Sequence, residues 1–214
     1  MRIVSHISTA RTKVREGELS RHLGTRLDGG KAFVVTTGLG LPRTWWLANQ
    51  ALARGFELGF KDAPPGKKKG DRLIAAADRA RRELADVCDH LVEHALPDAA
   101  FAAVAIEDGT LQVVSAGPCR VYLHRTGKPQ RLTPRDEPRE GTLRARITQC
   151  ATTLEPGDLI MAGSVSAFSR RSIAQVVTVL QEDPRTEPPI LASLLTEPAA
   201  QAGVGAAAIV IRIL

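Results

Sequence analysis

The sequence predicts an α+β layered domain, and three observations carry that expectation. Segments that read as strands cluster as hairpins, one pair of helices falls in the middle of the chain with another near its end, and no βαβ order of the dinucleotide-binding kind runs through it. The strands are expected at 2–9, 31–37, 99–107, 110–116, 120–125, 158–163 and 206–213, each β-branched or apolar and bounded by turn residues. Asp108-Gly109, between two of these, is a two-residue hairpin signal and makes that pair antiparallel. The longest helix is expected over 71–96, where Leu73, Ala77, Ala80, Leu84, Val87, Leu91 and Ala95 recur on one face; Pro97 closes it. Further helices are expected at 43–60, 170–182 and 190–201. The stretches "DAPPGKKKGD" and "EDPRTEPPI" read as connecting loops.

Composition sets the bounds. A chain of 214 residues can bury one full core and shows no compositional break, so a single domain over 1–214 is expected. Hydrophobic residues make up 43% but aromatics only 4%, which leaves Ala, Val, Leu and Ile to build the interior. No apolar run reaches the ~18 residues of a membrane span, and the first residues alternate instead of forming a leader, so no membrane association and a cytoplasmic setting are expected. Cys88, Cys119 and Cys150 are odd in number and widely spaced, which suits reduced thiols, and no CxxC pair points to zinc. The net charge of +6 could draw acidic partners, but the basic residues are scattered and lack interleaved aromatics, so nucleic acid is not expected as a partner.

Three motifs invite chemistry and fail on context. Gly38-Leu39-Gly40 follows a strand, but the third glycine of a dinucleotide cradle and its acidic residue are absent. Cys119 and Arg125 have the spacing of a cysteine phosphatase loop, yet "RVYLH" between them is β-like and would hold them apart at about 3.3 Å per residue. His90, Glu93 and His94 spell a zinc-capable spacing, but they project onto the polar flank of their helix with no third ligand.

The glycine turns have an order of their own. "FVVTTGLGL" comes early, followed by the long helix, the hairpin, "SAGPCRVYLHRTGKPQRLTPRDEP", "TLEPGDLIMAGSVSAF" and a last strand "GVGAAAIVIRI". This series resembles the metal-dependent serine/threonine phosphatases of type 2C over nearly the whole chain. The resemblance implies a four-layer α-β-β-α sandwich, two antiparallel sheets flanked by helix pairs. It also implies that four metal-binding aspartate positions are here Thr37 (before Gly38), Pro118 (before Cys119), Val165 (before Ser166) and, within one residue, Val204. Gly38, Gly117, Arg120, Gly157 and Asp158 persist, with the glycines expected to serve backbone geometry and Arg120 to close its turn.

Hard divalent cations need several oxygen ligands and compensating charge. One neutral hydroxyl among those four positions supplies neither, so no metal cofactor is expected, and without the metals the nucleophilic water regains its bulk pKa. The expectation is a degenerate member of the family, a pseudophosphatase that regulates or scaffolds serine/threonine phosphorylation by binding a protein partner such as a kinase or phosphoprotein, with a vestigial cleft of Thr37, Gly38, Pro118, Cys119, Val165, Ser166 and Val204 whose turns are kept because the fold needs them. Two alternatives stay open. One is an active phosphatase with a displaced metal set drawn from Glu16, Glu18, Asp136 and Glu137; the other is a small-ligand domain using the relined, apolar cleft. The Ala- and Arg-rich composition fits a bacterial source of high genomic GC.

Overall fold

The computed structural model describes residues 2–214 except 16, 28–29, 65, 91–96 and 136–139. Its strands are β1 (Ile3–Val14), β2 (Gly17–Leu19), β3 (His22–Leu27), β4 (Ala32–Leu39), β5 (Asp98–Glu107), β6 (Thr110–Ala116), β7 (Arg120–Arg125), β8 (Lys128–Arg131), β9 (Thr148–Thr153), β10 (Leu159–Gly163) and β11 (Val204–Ile213). The helices are α1 (Pro42–Asp62), α2 (Lys69–Asp89), α3 (Arg170–Glu182) and α4 (Pro188–Gln201), with a 3₁₀ turn at Val165–Phe168. One sheet has the order β2-β1-β11-β10-β7-β8 and the other β3-β4-β5-β6-β9, and every pairing is antiparallel.

The four layers follow from the alternation of side chains along each strand. In β5, Ala99, Phe101, Ala103 and Ala105 face α1 and α2, while Ala100, Ala102, Val104 and Ile106 face the other sheet. In β11, Ala207, Ile209, Ile211 and Ile213 fill the space between the sheets and Ala206, Ala208 and Val210 face α3 and α4. Strands buried on both faces need continuous apolar runs, which is why these two were legible. Asp108 and Gly109 both take positive φ (47° and 73°), the turn that matches the twist of the β5–β6 hairpin.

α1 and α2 pack through small residues. A Cβ on Gly55 would lie 2.3 Å from Ala80 Cα, and one on Gly59 would lie 2.5 Å from Ala76 Cα, so the backbones touch where bulkier residues would hold them apart. The apolar face of α2 is Leu73, Ala76, Ala77, Ala80, Leu84 and Cys88. Cys88 therefore takes the inward place expected for Val87, which is only partly buried, and its thiol donates to the Pro97 carbonyl (3.2 Å). The helix is described to Asp89; Leu91, Glu93, His94 and Ala95 lie outside the described residues.

Other boundaries also differ from expectation. β1 continues to Val14, well past residue 9, because its outer half pairs with β2. β10 ends at Gly163 and β7 starts at Arg120 as expected, with Val165 and Ser166 in the 3₁₀ turn after the one and Cys119 just ahead of the other. Arg125, at the far end of β7, binds both carboxylate oxygens of Asp158 (2.8 and 2.6 Å). No helix among the described residues is long and apolar enough to cross a membrane.

Candidate functional site

Strand register brings the turns after Thr37 and Gly163 and the turn before Arg120 to one rim of the sandwich, while the Gly157 turn lies at the other end of β10. On one sheet His22 pairs with Thr37, which pairs with Ala100; on the other Arg120 pairs with Gly163, which pairs with Ala208. Thr37 shares the face of Phe33 and Val35 and so points between the sheets. There it meets Cys119 from the opposite sheet, whose thiol donates to Thr37 Oγ1 (3.4 Å), while His22 Nδ1 lies 3.1 Å from the same oxygen. Histidine 22, Thr37 and Cys119 are 6%, 6% and 1% exposed, so this is a dry junction.

The donor between Thr37 and His22 depends on the imidazole tautomer, and the other ring nitrogen is Nε2. That nitrogen is buried with no hydrogen-bond partner among the described residues. Burial, reinforced by the Arg21 charge, pushes the imidazole pKa down to about 4, and the Val204 carbonyl offsets this only in part. His22 is therefore neutral at physiological pH. The Val204 carbonyl also accepts from Thr12 Oγ1 (2.9 Å), so Val204 contributes backbone to the rim while its residue is 45% exposed.

The turn after Thr37 is braced from both sides. Arg21 Nε donates to the Gly38 carbonyl (3.2 Å), its own carbonyl accepts from Gly38 N (2.8 Å), and its guanidinium stacks 4.9 Å from the Trp45 ring. Trp45 Nε1 donates to the Gly40 carbonyl (3.1 Å). Gly38 is required by proximity, not by an unusual φ: a Cβ there would lie 2.6 Å from Trp45 Cβ. Gly157 does take the left-handed conformation expected of it (φ 91°).

The remaining positions spread outward. Pro118 is half-buried beside Cys119. Ser166 Oγ bonds Ser164 Oγ (3.0 Å), and Ser164 is tied to Ala207 of β11, whereas Val165 is 37% exposed. Arg120 Nη1 donates to the Phe168 carbonyl (3.4 Å) and so ties the start of β7 to the 3₁₀ turn. Of the displaced set, Glu18 is exposed on β2 opposite Lys13; Glu16, Asp136 and Glu137 lie outside the described residues.

Two residues at this end were not foreseen. His22 belongs to a strand the sequence reading left out. Asp98, across from Leu39, is a half-buried carboxylate whose Oδ1 accepts from Ala99 N (2.8 Å) and Leu143 N (3.4 Å). Desolvation raises its pKa, and these amide contacts work against the rise. It anchors the chain around residues 141–143, where its carboxylate already has donors.

The described residues of the rim do not fit a pair of hard cations. Their buried donors are a shared hydroxyl, a thiol and a neutral imidazole, the Asp98 carboxylate is taken up by backbone amides, and no group of three or more His, Cys, Asp or Glu side chains able to hold a metal occurs among the described residues.

No family model matches the chain, and no curated protein matches it in sequence. Solved structures match it in shape. The serine/threonine phosphatase PstP/Ppp of Mycobacterium tuberculosis is 19% identical, with 99% of this chain and 98% of that one covered and a TM-score of 0.79. The catalytic domain of PstP in complex with two manganese ions is 18% identical over 98% and 97% of the two chains, with a TM-score of 0.81. The serine/threonine phosphatase of S. agalactiae is 13% identical over the full length of both, also at 0.81. The chain thus has the type-2C phosphatase fold, the α-β-β-α sandwich expected from its turns.

Proposed function

We propose that this chain is a pseudophosphatase: a single type-2C-fold domain that has given up metal-dependent hydrolysis and acts by binding a protein partner in serine/threonine phosphorylation signalling, in a cytoplasmic setting. The observation that carries the reading is the state of Thr37. At the position the resemblance assigns to a metal-binding aspartate, the only side-chain oxygen among the four substituted sites is buried and committed to Cys119 and His22. A divalent ion there would have to be compensated by groups that carry no charge.

Two-metal catalysis supplies an activated water and neutralises the phosphoryl oxygens, and each tenfold of rate corresponds to about 1.4 kcal/mol. Among the described residues of the rim His22 does not replace that contribution, since a buried neutral imidazole with a pKa near 4 is a poor base. The fold is nevertheless retained, and the likeness in shape to PppA, a key regulatory component of T6SS in Pseudomonas aeruginosa, supports a regulatory place. The vestigial cleft, in this reading, is scaffold.

The test is hydrolysis of p-nitrophenyl phosphate by the purified chain with manganese. The expected rate equals the protein-free background; turnover that requires manganese and stops on chelation overturns the proposal. Capture from the native host should also recover a kinase, phosphatase or phosphoprotein, and recovery of none counts against the partner class.

A further inference from the structure

For most of its length β1 is paired along one side only. It lies against β11 from Ile3 to Thr12, while β2 reaches its other side only at Thr12–Val14. The backbone groups of successive residues point alternately to the two sides of a strand. The Arg2 carbonyl accepts from Leu214 N (2.9 Å) and so faces β11, whereas the Ser5 carbonyl accepts from Arg26 Nη2 (3.1 Å), which reaches it from β3 of the other sheet. The amides and carbonyls of Ile3, Ser5, Ile7 and Thr9 therefore point out of the sheet, and no strand among the described residues pairs with them. A free edge is normally blunted by lysine, proline or another charge. β8 is blunted in that way by Lys128, Pro129 and Arg131, and β2 is only three residues long. From Ile3 to Ala10 there is no Lys, Arg, Asp, Glu or Pro. Beside the run Val4 is 40% exposed, and α4, which Thr196 Oγ1 ties to Ser8 Oγ of β1 (2.8 Å), carries Ile190 at 53% exposed.

We propose that this edge pairs with the same edge of a second copy of the chain, β1 against β1 in antiparallel sense about a two-fold axis, joining two six-stranded sheets into one. The pairing stands apart from the pseudophosphatase reading. Its occupant is selected by the strand itself, because a two-fold contact needs a surface complementary to itself. The outward groups sit on odd-numbered residues, so the registers that pair them are centred on a residue. In those centred on His6 or Ile7, Arg2 falls opposite Ala10 or Thr12 and never opposite Arg11, so no like charges meet across the ladder. A charged peptide, by contrast, finds no counter-charge along Ile3–Ala10, and a nucleic-acid backbone finds no cation there. The incoming strand supplies an amide for the Ser5 carbonyl in place of the Arg26 guanidinium, which makes Arg26 a removable guard on the edge.

The experiment is sedimentation equilibrium of the full chain up to millimolar concentration, with amide hydrogen exchange followed over the same range. A monomer–dimer equilibrium is expected, in which the amides of Ile3, Ser5, Ile7 and Thr9 slow by about tenfold or more as dimer forms. Val4→Lys and Thr9→Lys, both at exposed positions, should each weaken association about tenfold or more, Arg26→Ala should strengthen it, and Val165→Lys, exposed at the rim, should leave it unchanged. Melting temperatures of the variants separate lost pairing from lost folding, and if a lysine variant does not fold the exchange of the unaltered chain decides. The proposal falls if the chain stays monomeric at every concentration, if it dimerises with those four amides still fast, if both lysine variants dimerise as well as the parent, if Arg26→Ala weakens the dimer, or if Val165→Lys abolishes it.

Discussion

Two turns of this molecule have met opposite fates. At the Pro156-Gly157-Asp158 corner a carboxylate survives almost wholly buried, 2% exposed, held by both arms of Arg125 and by the Glu155 amide. At the Thr37 rim, where the resemblance would set a metal-binding aspartate, a chain of neutral groups stands instead. A buried carboxylate is tolerable when its counter-charge is covalently part of the same chain, as Arg125 is for Asp158. One whose counter-charge had to come from outside would be a standing liability once that cation was no longer bound.

The comparison can be broken in four ways. Asp158→Ala should have the largest effect, lowering the melting temperature by roughly 10 °C, because Arg125 and the Glu155 amide lose their shared acceptor. A fall within 2 °C of error, by calorimetry, would remove the corner from the argument. Next is the pH dependence of the rim. His22 has a folded pKa of about 4 against 6.5 for the free side chain, so between those values the unfolded chain takes up a proton that the folded one refuses. The His22 contribution is therefore fully present above pH 6.5, is lost as pH falls through the window and levels off below about 4, a loss of roughly 3 kcal/mol in all. His22→Gln should flatten that part of the urea-stability profile, and an unchanged slope would place the imidazole in water.

Gly38→Ala comes third, at about 1–3 kcal/mol, because the added methyl meets Trp45 head-on. Thr37→Val should be the mildest, about 1 kcal/mol, since it removes the hydroxyl that the Cys119 thiol and the His22 imidazole share but keeps the shape. If Thr37→Val proved as damaging as Asp158→Ala, the rim would be the structural keystone and the contrast between the two turns would reverse.

How much of this was legible follows from position in the sheets. β4, β5, β6, β7, β10 and β11 were read close to their true bounds, and all are inner strands; β4, β5, β10 and β11 are buried on both faces, which demands apolar runs. The four strands left unread, β2, β3, β8 and β9, are the four sheet edges. Their sequences, "GEL", "HLGTRL", "KPQR" and "TQCATT", are polar or contain proline because an edge pairs on one side only and gains by being unattractive on the other. His22 went unseen for that reason: it lies on β3, and a histidine in a polar-looking hexapeptide carries no signal that its neighbour across the ladder is Thr37. The Arg125–Asp158 pair was hidden by sequence distance, since only the β7–β10 register brings those two residues to the same corner. Thr37 itself was legible, because its anomaly lay in a local pattern of glycines.

The seam between α1 and α2 sets a different rule for change than most interiors obey. Cores are usually damaged by trimming a side chain, and tolerate modest growth where voids can absorb it. At Gly55, Gly59, Ala76 and Ala80 there is little left to trim and nowhere to grow, so the injurious substitutions are those that add a single methyl group. A chain that draws on so few aromatics keeps its helices in place by closeness, and its tolerance of mutation there should run from small to smaller.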